Sequence, residues 1–311
     1  MSKRRRINKR PRLTRNKIMK LLSPHREWLK DTRGQELASP QDMVYFKVIS
    51  VGGCISCYKG VLDDEGAAAE TLGDTTSKQL QYRFTNYELR THFRNVSNHD
   101  CFLEVYACVA RANSFRDSAD NSVTDTDDRA MHKLVDGWDY KTADTRVNNA
   151  GTGTEVVYTA GGKDCTTYSS LLTPFQSKAF TQSYKIENVW SVKMKPGDDL
   201  FVKQNCPAFT YDSLKHDSGF NDASQTQQED VGKVTKFLLV KLRGCLGKGN
   251  ADDTKTGYLS TDIAWESLVK IKLRKMNRDN DLMALESTTR DNLLGVTLEG
   301  PTDYDMKDED L

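Results

Sequence analysis

The first thirty residues concentrate side chains that can bind phosphate. They hold twelve Lys or Arg and a single acid, Glu27, whereas the rest of the 311-residue chain holds 33 bases and 43 acids. The overall charge of +1 therefore combines an N-terminal segment of +11 with a body of −10. So strong an asymmetry indicates an electrostatic site for a polyanion at the N-terminus.

Nucleic acid is the polyanion that such a segment suits best. Lys and Arg neutralise backbone phosphates and release counterions, so the binding ignores base sequence and weakens as salt rises. If all twelve bases paired with a single strand, the slope of log K against log salt would be roughly −8, at about −0.7 per contact. A solvated charge run that only aids solubility is the alternative. The predicted nucleic-acid-binding residues are Lys3, Arg4, Arg5, Arg6, Lys9, Arg10, Arg12, Arg15, Lys17 and Lys20.

The same stretch, KRRRINKRPR, also has the composition of a nuclear import signal. Import and phosphate binding are compatible, because both depend on exposed cations. The predicted import residues are Lys3, Arg4, Arg5, Arg6, Lys9, Arg10 and Arg12.

The cysteines do not form a metal or disulfide pattern. Cys54-x-x-Cys57 is half of a zinc site at best, since no second Cys or His pair follows at finger spacing. Seven scattered cysteines are an odd number, which argues against a disulfide framework and for a reducing compartment. We expect packed free thiols, with no metal and no cofactor.

Catalytic residues are equally hard to assemble. The five histidines are dispersed without H-E-x-x-H spacing, and no G-x-S-x-G motif occurs. The glycines of 159–164 and 244–250 complete no phosphate-binding loop. The acids of 116–128 lack the order of a calcium-binding EF-hand, so a hydrated loop is expected there. The sequence therefore favours a protein that is not an enzyme.

Hydrophobic alternation with a period of two predicts about eight strands. For example, Ile186, Trp190, Val192 and Met194 alternate with polar residues, and Pro196-Gly197-Asp198 then turns the chain into the next strand. The aromatic residues that could stack on bases fall mostly within strands, and core packing is favoured for them. The predicted strands are 43–51, 80–96, 101–111, 154–160, 184–195, 200–205, 235–244 and 262–274.

The gaps between strands are long and polar, at 60–78, 112–153, 206–233 and 245–260, and are read as loops. They lack regular amphipathic helices, which argues against a parallel α/β sheet. We predict an all-β fold, a single jelly-roll sandwich of antiparallel strands with long loops and a disordered or partly helical basic arm. No run of about 18 apolar residues exists, so membrane insertion is not expected.

This reading divides the chain into three parts. Residues 1–40 are the basic arm, with a short helix ending near residue 24, followed by polar linker. Residues 41–275 form the jelly-roll domain. Residues 276–311 form a tail with ten acids and three bases.

Two stretches resemble a known family. TPFQSKAFTQSYKIENVWSVKMKPGDDLFVK (173–203) and KFLLVKLRG (236–244) are similar to segments of the capsid proteins of circular Rep-encoding single-stranded DNA viruses, where a turn of the same type separates two strands. The basic start is similar to the Arg-rich N-terminus of those proteins. About forty residues carry this resemblance in recognisable form.

The resemblance implies a capsid protein that self-assembles into an icosahedral shell of sixty copies or a multiple of sixty. The arm would package single-stranded nucleic acid, DNA by this resemblance, and the protein would be located in the virion and, during assembly, in the host nucleus. A host import receptor and a cell-surface receptor are further partners that it implies. Two alternatives remain open: the coat protein of a small RNA virus, and a non-viral β-sandwich that binds nucleic acid as an interaction module.

Overall fold

A computed structural model describes residues 26–64, 81–114, 126–138, 146–147, 154–155, 164–167, 169–212, 216, 229–248 and 256–276. Within these residues, strands far outnumber helices. The strands are β1 (Arg26–Ser39), β2 (Val44–Gly52), β3 (Gln81–Asn95), β4 (Cys101–Ala110), β5 (Arg146–Val147), β6 (Thr154–Glu155), β7 (Asp164–Thr167), β8 (Tyr184–Met194), β9 (Asp199–Cys206), β10 (Phe209–Asp212), β11 (Lys236–Gly244), β12 (Leu246–Lys248), β13 (Thr256–Tyr258) and β14 (Thr261–Met276). The helices are α1 (Ile55–Asp64), α2 (Thr126–Asp136), α3 (Lys178–Ser183) and a 3-10 turn, Pro174–Gln176.

Two five-stranded antiparallel sheets form the body. Sheet I has the order β1-β14-β3, with both β9 and β10 on the far side of β3, and sheet II has the order β7-β2-β11-β4-β8. The eight long strands distribute as β1, β14, β3, β9 in one sheet and β2, β11, β4, β8 in the other. Without the short strands β10 and β7, each sheet has four long strands, and consecutive long strands of the chain often lie in different sheets. This arrangement of eight strands is the jelly roll, so the predicted fold is confirmed.

Apolar side chains that alternate along each strand fill three layers. Between the sheets lies a cluster that includes Phe93, Val105 and Val240. The inner face of sheet I also packs against α1 through Tyr58 and Leu89. A third cluster, which includes Met131 and Phe180, packs sheet II against α2 and α3.

The reading of residues up to 40 as linker is wrong from Arg26 onward, because Arg26–Ser39 form β1 at the edge of sheet I. The jelly roll therefore begins at Arg26 rather than at residue 41. An edge strand exposes most of its side chains, and only two residues of β1, Leu37 and Ser39, are buried. Its composition is therefore polar, and the alternation that marked the other strands is weak.

Several predicted loops contain regular structure. α1 enters 60–78, α2 lies within 112–153, β10 within 206–233, and the hairpin of β12 and β13 within 245–260. In α2, Ala130, Met131, Leu134 and Val135 are almost fully buried, so one helix face packs against sheet II. These segments are therefore not loops throughout, since they contain packed helices and strands.

The described helices are all too short and too polar to cross a membrane. The predicted helix before residue 24, most of the strand 154–160 and the acidic tail beyond Met276 lie outside the described residues.

Candidate nucleic-acid interface

The basic segment joins the body at one end of sheet I. All ten predicted nucleic-acid-binding residues, from Lys3 to Lys20, lie outside the described residues. Two of the twelve N-terminal cations, Arg26 and Lys30, belong to β1 instead. Arg26 pairs with Leu273 of β14, so the N-terminal segment is attached beside the last residues of β14.

The acid of the N-terminal segment contacts cations at this junction. Glu27 forms ion pairs with Lys270, and with Lys272 at 3.8 Å, both on the neighbouring strand. The hydrogen bond from Lys270 holds the pKa of Glu27 below its ordinary value. Glu27 is thus ionised at neutral pH and offsets part of the positive charge where the arm begins.

A backbone irregularity interrupts β1 after this junction. The register against β14 shifts between Thr32 and Gln35, and Gly34 has a left-handed φ of 67°. Glycine adopts this conformation without steric cost, which is typical of a β-bulge on an edge strand. The first half of β1, from Arg26 to Thr32, thereby forms a separate ladder with the end of β14.

The Cys-x-x-Cys pair lies in the core at the start of α1. Cys54 Sγ donates to Cys57 Sγ at 2.9 Å. This hydrogen bond, followed by burial, raises the pKa of Cys54 well above its usual value. A thiol of this kind is a poor nucleophile and a poor metal ligand. The expectation of packed free thiols is confirmed for Cys54, whereas Cys57 is only partly buried.

The end of the acidic stretch is structural where it is described. Asp128 is buried in α2, whereas the stretch before residue 126 lies outside the described residues. Nearby, Asp230 is 1% exposed and accepts hydrogen bonds from Thr126 Oγ1 at 2.7 Å and Arg129 Nη1 at 2.9 Å. Ser114 and Tyr184 also donate to it. This cluster fixes α2 to the body rather than presenting carboxylates to a cation.

His92 lies between two carboxylates on the outer face of sheet I. Its Nε2 lies 2.8 Å from Asp199 and its Nδ1 lies 3.1 Å from Glu266. Its ring stacks on Phe201, which is 74% exposed. The cross-strand register brings these side chains together, and no sequence motif could have predicted them. The described contacts of His92 are with Asp199, Glu266 and Phe201 and include no nucleophile, so the group lacks the geometry of a triad.

A cleft of about 470 Å³ opens between the inner face of sheet I and α1. Its walls include Trp28, Lys30, Trp265 and hydroxyl side chains. Among the residues that the structure describes, no group of three or more His, Cys, Asp or Glu side chains could hold a metal ion. The cleft also brings together no acid–base pair with a nucleophile.

The strand aromatics are core residues, as the alternation predicted. Tyr45, Phe46, Tyr82, Phe84, Tyr87 and Phe93 are all buried, and Trp190 is half-buried against the same core. The described body therefore uses these rings mainly for packing.

These features define the class of the protein as a jelly-roll sandwich whose N-terminal strand carries a basic extension. No family model and no curated protein matches the chain. Among solved structures, it is weakly similar to VP1 of Trichodysplasia spinulosa-associated polyomavirus in complex with 3'-sialyllactose, at 9% identity over 79% of this chain and 95% of that one, with a TM-score of 0.21.

VP1 of Merkel cell polyomavirus in complex with disialyllactose is similar at 7% identity, over 81% of this chain and 78% of that one, with a TM-score of 0.12. Likenesses at this level carry no argument. The fold assignment therefore rests on the strand order of the two sheets.

Proposed function

We propose that this protein is a viral capsid protein that assembles into an icosahedral shell and packages single-stranded nucleic acid through its basic arm. The observation that carries the proposal is the joining of ten cations in residues 1–25 to the edge strand of a jelly roll. A rigid sandwich supplies surfaces for identical neighbours, and a segment with many cations suits phosphates of any sequence.

The division of charge supports the same role. The chain after residue 30 has a net charge of −10, so free subunits are close to neutral overall and the excess of positive charge lies in the first thirty residues. Sequence-independent binding follows from phosphate contacts without base contacts. The proposal includes no enzymatic role.

A full-length variant with the arm cations replaced tests the packaging role. Substituting Lys3, Arg4, Arg5, Arg6 and Arg10 by Gln should remove about five contacts and make the salt slope shallower by roughly 3.5. The assay is fluorescence anisotropy of a labelled thirty-residue oligo-dT across a salt series. An unchanged slope would refute the assignment of the arm. Equal affinity for oligo-dT and oligo-U would show that the arm does not distinguish DNA from RNA.

Nuclear import by the same arm is a second part of the proposal. A fusion of residues 1–20 to an inert fluorescent reporter should accumulate in nuclei, whereas a matched fusion with the seven import cations replaced by Gln should not. A uniform cytoplasmic signal from the first fusion would contradict import and leave packaging untouched.

A non-viral binding module is the competing function. It shares the arm and the sandwich but needs no self-association. Purified protein that remains monomeric or dimeric at every salt concentration and pH would favour the module.

A further inference from the structure

Four cations occupy the outer face of sheet I at the end where the arm joins. Because Ile271, Leu273 and Phe84 are buried, strand alternation directs their neighbours to the opposite, outer face. The cations recur every second residue along β14, which corresponds to a spacing of about 6.8 Å. We call this set the arm-end cation row, and it consists of Arg83, Lys270, Lys272 and Arg274.

The charge of this row is only partly compensated by the described residues. Glu27 is the carboxylate that contacts Lys270 and Lys272. Arg83 donates to the neutral hydroxyl of Thr210 at 3.1 Å. Arg274 Nε is buried and has no hydrogen-bond partner in the part of the chain that the structure describes. A buried donor without an acceptor is costly, so an additional acceptor would stabilise Arg274.

The register of the sheet places two of these cations side by side. Arg83 lies directly opposite Arg274 on the paired strand, and like charges in this position repel each other. A phosphate between two guanidinium groups would satisfy both with charge-assisted hydrogen bonds. The fold therefore holds together two cations that are more stable with an anion than without one.

The opposite end of the same face carries charges of both signs, since Arg94 lies opposite Asp199 there. There the outer residues include Asp199, Asp262 and Glu266. The arm-end cation row lies beside Arg26, which pairs with the residue next to Arg274. A polyanion held by the arm would be at high effective concentration above the arm-end cation row.

We propose that the arm-end cation row is a second, rigid binding site for the phosphates of single-stranded nucleic acid. This inference rests on the proposed function, because the arm recruits the strand that the row then contacts. The row would bind phosphates at fixed positions on the folded body, in addition to the contacts that the arm makes. Two or three further contacts per subunit would add to the salt dependence of binding.

The test compares the full-length protein with the triple variant Arg83→Gln, Lys272→Gln, Arg274→Gln. Affinity for labelled oligo-dT is measured by anisotropy from 50 to 200 mM NaCl. At about 0.7 per lost contact, the slope of log K against log salt should become shallower by about 2. The fall in affinity from 50 to 200 mM NaCl should therefore be roughly 20-fold smaller for the variant than for the wild type. The matched control is the triple variant Lys185→Gln, Lys193→Gln, Lys195→Gln, which removes three cations on or next to β8 of sheet II. Its slope of log K against log salt should stay close to that of the wild type.

A gain-of-function variant keeps the test independent of folding defects. Glu27→Gln removes the carboxylate that offsets the row, so it should tighten binding and steepen the slope by up to one contact. Equal slopes for wild type, both triple variants and Glu27→Gln would overturn the row and leave arm binding intact. If the wild-type protein binds no oligonucleotide at all, the proposed function itself fails.

Discussion

Breaking the buried ion pair between Arg129 and Asp230 should destabilise the protein more than any exposed pair would. The two side chains are 10% and 1% exposed, and their atoms lie 2.9 Å apart. In the variant Arg129→Met, Asp230 would keep its hydroxyl donors but would lose its only cationic partner among the described ion pairs. Removing one member of a buried pair costs about 3–5 kcal/mol, because the remaining charge stays desolvated.

For a domain of this size the loss corresponds to a fall in melting temperature of roughly 6–20 °C. The assay is equilibrium urea unfolding and thermal melting of the full-length protein, followed by circular dichroism. Tyr184→Phe removes only a neutral donor at 3.2 Å and should cost about 0.5–1.5 kcal/mol. The exposed pair of Lys193 with Asp100 is the control, and Lys193→Met should not shift the midpoint measurably.

The double variant Arg129→Met, Asp230→Asn separates the pair from the rest of the site. Since the uncompensated charge is gone, it should be more stable than Arg129→Met alone, and the cycle should give a coupling of about 0.5–3 kcal/mol. A cost of Arg129→Met no greater than that of Tyr184→Phe would refute the reasoning, because α2 would then be held without the ion pair.

Three further predictions concern the backbone, the pH response and the thiols. Gly53→Ala should destabilise by about 1–3 kcal/mol in urea unfolding, because the residue has a φ of 73° and an added Cβ would lie 2.7 Å from a backbone oxygen. The hydrogen bond from Lys203 lowers the pKa of Glu88 from its ordinary value of 4.5. Ionised Glu88 therefore stabilises the folded protein fully above pH 4.5, and this contribution is lost as the pH falls through the lower pKa of the folded state. The difference in free energy of unfolding between wild type and Glu88→Gln should therefore decrease from about pH 6 to about pH 3. Burial raises the pKa of Cys101 to about 11, so in mass-spectrometric alkylation of native protein at pH 8, partly exposed Cys245 should react well before Cys101; equal rates would contradict the burial.

The strands of the sandwich core were predictable because their side chains face two environments. Alternation in 184–195 and the apolar centre of 235–244 identified β8 and β11 to within about a residue at each end. β1 was not identified, because as an edge strand it has one neighbour and exposes most of its residues. Its inward residues, such as Trp28 and Leu37, are too few and too widely spaced to give a clear period.

The helix α2 carried a signal that could have been read. Its residues Met131, Leu134 and Val135 recur at helical spacing, although the acids and small polar residues before it are typical of a loop. The partner of Arg129 lies about a hundred residues away, and no local pattern connects the two. The alternation of Lys270, Lys272 and Arg274 in β14 is likewise visible in the sequence. The position of Arg83 opposite Arg274 is not, because it depends on strand pairing between distant segments.

The most direct test of the account is electron microscopy of purified full-length protein, combined with its absorbance ratio at 260 and 280 nm. The account predicts closed particles of uniform diameter that contain nucleic acid, and empty or unassembled protein when the arm cations are replaced by Gln. Particles of monomer or dimer size at every salt concentration and pH, without bound nucleic acid, would contradict it.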